Sequence, residues 1–107
     1  MRDIEGVPAG TLRWLDARTA KGPTVLRDRV LEHARVPSEG MTIAEHLSLV
    51  AERVLAIVEE HPGDRSIALD LLAADALITL ALLAQSDSVP ERLGAFAEGL
   101  LAAERVA

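Results

Sequence analysis

Asp75 is the residue of this 107-residue chain best placed to do chemistry. It lies in the run Leu72-Ala73-Ala74-Asp75-Ala76-Leu77-Ile78, where helical packing should bury most side chains. A carboxylate taken out of water must be paired, hydrogen-bonded or protonated. The first expectation is therefore that Asp75 meets an arginine of the N-terminal third, or a helix cap, and fixes packing register. A place on a narrow polar edge is the second expectation. A third is a ligand-binding or proton-transfer role at the base of a pocket, with Glu45 or His46 near its mouth. Asp70 is five residues away, about 140° around a helix, so the two carboxylates form no obvious dyad.

The three histidines each follow a glutamate: Glu32-His33, Glu45-His46 and Glu60-His61. If the helices flanking the loop near residues 36–41 run antiparallel, His33 and His46 approach each other and are the candidate metal ligands. His61 would then stand at the far end of its helix, about 22 Å away, so a single three-histidine site is not expected. The chain contains neither the Glu-x-x-His pair of a di-iron bundle nor the His-Glu-x-x-His of a zinc protease. Glycine-rich phosphate loops and the Gly-x-Ser-x-Gly elbow are absent as well. With no cysteine there is no thiolate ligand, redox dithiol or cysteine nucleophile. No cofactor is indicated, and the shortage of catalytic constellations points to a non-catalytic interaction or assembly module, a small accessory protein with a protein partner.

Arg13, Arg18, Lys21, Arg27 and Arg29 make the only basic cluster, with Asp16, Asp28 and Glu32 among them. Mixed signs at these spacings describe a solvated or internally paired face. The whole chain carries a formal charge of −6. Residues 1–35 sum to +2 and residues 36–107 to −8, so the N-terminal third is expected to pack on the acidic remainder. A polyanion needs a basic surface, and base stacking needs aromatics, which are 2% of the chain. Nucleic acid is therefore not an expected partner.

The elements that must position these groups are helices. There are 18 Ala and 17 Leu, against nine Val and five Ile, a balance that favours helix over sheet. The chain reads as one all-α domain, a four- or five-helix bundle, after an irregular lead-in over residues 1–10. Helices are expected over residues 11–20 and 23–35, or as one kinked helix. Thr42 and Glu45 form a capping box for the next helix, over about residues 42–61. Its Ile43, Leu47, Val50, Val54 and Ile57 repeat in a 4-3-4-3 pattern, which makes a packing seam. Asp64 can cap a helix over residues 65–85 that is apolar on all sides. Ser88 and Glu91 suggest a second capping box before a last helix, in which Gly94 and Gly99 either permit close approach or weaken the element.

The 65–85 helix needs more cover than its own hairpin can give. A homo-oligomer, most simply a two-fold dimer, is the expected source of that cover. Leu80, Leu83, Phe96, Leu100 and Leu101 are the expected interface. The most apolar stretch, residues 71–84, contains Asp75 and falls short of the roughly 20 residues that a membrane span requires. Residues 1–10 have two acids and no apolar core of a secretory signal. A cytoplasmic protein without a membrane segment is expected.

Overall fold

A computed structural model describes residues 10–38 and 40–106. The expected lead-in lies almost wholly outside the described residues. Five α-helices and no strand occur among them: α1 (Thr11–Thr19), α2 (Thr24–His33), α3 (Ile43–Glu60), α4 (Ala68–Ser88) and α5 (Leu93–Val106). Single 3₁₀ turns, Arg65–Ile67 and Pro90–Arg92, lead into α4 and α5. The fold is all-α, and the N-terminal region is two helices rather than one bent one.

Helix starts follow local hydrogen bonding. At α3 the Thr42 hydroxyl accepts from Glu45 N–H at 3.1 Å, and the Glu45 carboxylate accepts from Thr42 N–H at 2.9 Å. Gly40, just upstream, has φ 81°, a conformation that side chains with a Cβ rarely adopt. Asp64 accepts from both Ser66 N–H (2.9 Å) and the Ser66 hydroxyl (2.7 Å), which starts the 3₁₀ turn before α4. These bonds favour the ionised carboxylate, so the Asp64 carboxyl titrates below its ordinary range, with the Ser66 hydroxyl the larger cause. The expected capping box at Ser88 does not form. Ser88 is the last residue of α4, and its hydroxyl bonds back to the Ala84 carbonyl at 3.0 Å.

The core is a hairpin of α3 and α4. The first residues of α3 and the last of α4 line one small cavity together, so the two helices run antiparallel. Leu47, Val50, Ala51 and Val54 of α3 are buried with Ala73, Ala74, Leu77 and Ala81 of α4. Alanines on the α4 side let the two backbones approach, and the larger α3 side chains fill the space. Leu15 of α1, Val30 of α2 and Ala34 just after α2 close the same core. Each fully buried Leu or Val contributes roughly 1.5–3 kcal/mol relative to exposure. Ile57, the expected end of the α3 seam, is 39% exposed, because the core ends one turn earlier.

Two expectations about the C-terminal half change. A Cβ built at Gly94 or Gly99 would meet no atom within 4 Å, so neither glycine serves close packing. The helix that carries the apolar run is also longer than the expected 65–85: the helical stretch Arg65–Ser88 has 24 residues and, by length and composition, is long and apolar enough to cross a membrane. Here it packs against α2, α3 and α5.

Candidate functional site: a cleft beside Asp75

The turn between α1 and α2 stands over one flank of α4. Gly22 and Pro23 break the chain there, and Pro23 immediately precedes the first residue of α2. The result is an open cleft of about 490 Å³. Leu26, Val30, Ala76 and Leu80 supply apolar wall, while Asp75, Thr79, Arg18 and Arg27 are polar.

Asp75 is exposed, which overturns the expectation of a buried, paired carboxylate. It lies on the side of α4 turned away from α3. No hydrogen bond or ion pair engages its carboxylate among the described residues. The Thr79 hydroxyl donates to the Asp75 backbone carbonyl at 3.1 Å instead. Each arginine is already paired with an acid, although the buried Arg27 Nε has no partner. Arg18 pairs with Asp87 at 2.7 Å and lies over the Trp14 ring, 5.4 Å from its centroid. Arg27 Nη2 donates to Asp16.

The buried carboxylate is Asp70. It accepts from His33 Nε2–H at 2.7 Å, and Arg29 Nε lies 3.6 Å from the same oxygen. Arg29 and His33 are one helical turn apart on α2, so they reach the same point of α4. Residues of the N-terminal third do meet an acid of α4, as the charge division implied, but the acid is five residues earlier than expected. The spacing of Arg29 and His33 was the available signal.

His46 is fully buried and faces away from the cleft. Its Nε2 lies 2.7 Å from the Ala34 carbonyl, which can only accept, so Nε2 carries a proton. Nδ1 contacts the buried Ser38 hydroxyl. The imidazole thus ties the end of α2 and the following loop to α3. Glu45 is held in the capping box and does not line the cleft. Asp75, Glu45 and His46 therefore do not converge. His33 and His46 each bind other partners, and no group of three His, Asp or Glu residues able to hold a metal occurs among the described residues.

The expected interface residues also separate. Leu80 and Leu100 are buried within the chain at 9% exposure, Leu83 and Phe96 are half-buried, and Leu101 is 52% exposed. Burial of Leu80 and Leu100 leaves them little surface to offer a partner. Leu71 and Leu72, not among the expected set, are 49% and 54% exposed. No family model, characterised protein or solved structure matches the chain.

Proposed function

We propose that this protein is a non-catalytic association module that works as a homo-oligomer, most simply a two-fold dimer. The observation that carries the reading is the outer face of α4. Only 33% of its most apolar 18-residue window is buried. Ala68, Leu71, Leu72, Asp75, Thr79 and Leu82 fall within about 100° of helical arc. Asp75 is the one ionisable group in that arc, so the face has no charge pattern to select a dissimilar partner. Isologous pairing of the same face on two copies is the simplest cover. Asp70, held by α2 from inside the fold, supports the role of α4 as a core helix of a cytoplasmic protein rather than a membrane span.

Light scattering at micromolar concentration tests the reading. The expected mass is twice the 11.4 kDa of one chain. Leu72→Glu should weaken association by about 2 kcal/mol or more, because it removes an apolar contact and adds to Asp75 a second carboxylate that would lose its water in the interface. A wild-type monomer at that concentration would overturn the proposal.

A second reading is favoured by the cleft itself: a small-ligand-binding site that reaches Asp75. Its volume is within the roughly 300–1,000 Å³ of ligand pockets, and its apolar wall carries a single uncommitted charge.

A further inference from the structure

Resting on that second reading, we infer that the cleft takes a small amphipathic cation, an ammonium on a short aliphatic body. Charge accounting around the cleft leads to this class. The two arginines that line it are matched by Asp87 and Asp16. Asp75 is then left over, and the local balance is −1. Thr79 offers no free donor in its place, because its hydroxyl proton is directed at the Asp75 carbonyl. An anionic ligand would find both lining guanidinium groups already paired with an acid, with the one unpartnered nitrogen, Arg27 Nε, enclosed in the protein, and would face the Asp75 carboxylate. A neutral apolar ligand would cover that carboxylate without replacing its water, at a cost. An ammonium satisfies it with charge-assisted hydrogen bonds, while a chain of several methylenes lies along Leu26, Val30, Ala76 and Leu80.

The test is a titration of the full ¹⁵N-labelled chain with n-hexylammonium, hexanamide and hexanoate, read from amide shifts. n-Hexylammonium should saturate shifts at Leu26, Val30, Ala76 and Thr79, with hexanamide about tenfold weaker and hexanoate weaker still. Asp75→Asn should remove the ammonium's advantage and leave hexanamide binding as before. Asp75 is exposed and unpaired, so an unchanged melting curve for this variant is expected. Equal binding of the ammonium and the amide, or retention of the preference in Asp75→Asn, overturns the ligand class while leaving a binding cleft. Tighter binding of hexanoate does the same. Absence of shifts at the cleft with all three probes overturns both the class and the binding reading beneath it.

Discussion

Replacing His46 with alanine tests whether this imidazole is a structural clamp. The ring is fully buried, and its two nitrogens meet the Ala34 carbonyl and the Ser38 hydroxyl. Ala34 is 0% exposed and Ser38 8%, so water cannot readily replace the lost ring. An orphaned buried polar group costs about 1–3 kcal/mol, and the substitution creates two. The expected loss is about 4 kcal/mol, a large fraction of the roughly 5–15 kcal/mol typical of a domain. At about 4 °C per kcal/mol for a chain of this size, the melting temperature should fall by about 15 °C. His46→Gln retains a donor that can reach the Ala34 carbonyl, and about half of the loss should return. Thermal and urea unfolding followed by far-ultraviolet circular dichroism measure both variants. A loss below about 1 kcal/mol for His46→Ala refutes the clamp. Equal losses for alanine and glutamine refute the assignment of the cost to hydrogen bonding.

Three further outcomes are expected. A double-mutant cycle of Asp70→Ala and His33→Ala should give a coupling of about 1–2 kcal/mol by urea unfolding; Arg29, with 35% of its side chain exposed, should couple with Asp70 by less than about 1 kcal/mol. Gly99→Ala should raise stability by about 0.5–1 kcal/mol in the same assay, since alanine is the better helix former and a Cβ there meets nothing. Asp64 titrates below its ordinary range in the folded chain, so its contribution is complete above the unfolded carboxylate pKa and is lost as pH falls through the folded value. Asp64→Asn should therefore lower the melting temperature at neutral pH, and the gap to the wild type should close only as pH falls below the ordinary carboxylate range, which paired thermal scans would show.

The helices were legible because their signals are local. The Thr42–Glu45 box and the Asp64 cap each involve residues within three positions of one another, and both form as read. The Ser88 box failed because a competing local bond won. A serine can cap the helix ahead or bond back to the turn behind, and α4 continues far enough to take Ser88 into its last turn. Gly94 and Gly99 show a similar limit. Their spacing permits a close helix crossing, but only the position of the neighbouring helices decides whether one occurs, and here none does.

The candidate site was harder to read, since α4 gives almost no directional signal. With apolar residues on every side, its sequence sets Asp70 and Asp75 about 140° apart without saying which faces inward. The choice is made on α2. Arg29 and His33 lie one turn apart and project toward the same place, so the acid that meets them is buried and the other is left outside. With Asp70 held by α2, Asp75 lies exposed in the cleft that Gly22 and Pro23 of the α1–α2 turn also line. The same register turns Leu71 and Leu72 outward with Asp75, while Leu80 faces the core. Burial of one carboxylate thus sets three outcomes together: the charge left on the cleft, the apolar face left on α4, and the inward placement of Leu80, which the apolar pattern of the helix had offered to an interface. Moving the acid from position 70 to position 73 or 74 would remove the pair with α2 and place a carboxylate where Ala73 and Ala74 are fully buried in the core, so the site depends on the pairing of two helices and not on any motif within one.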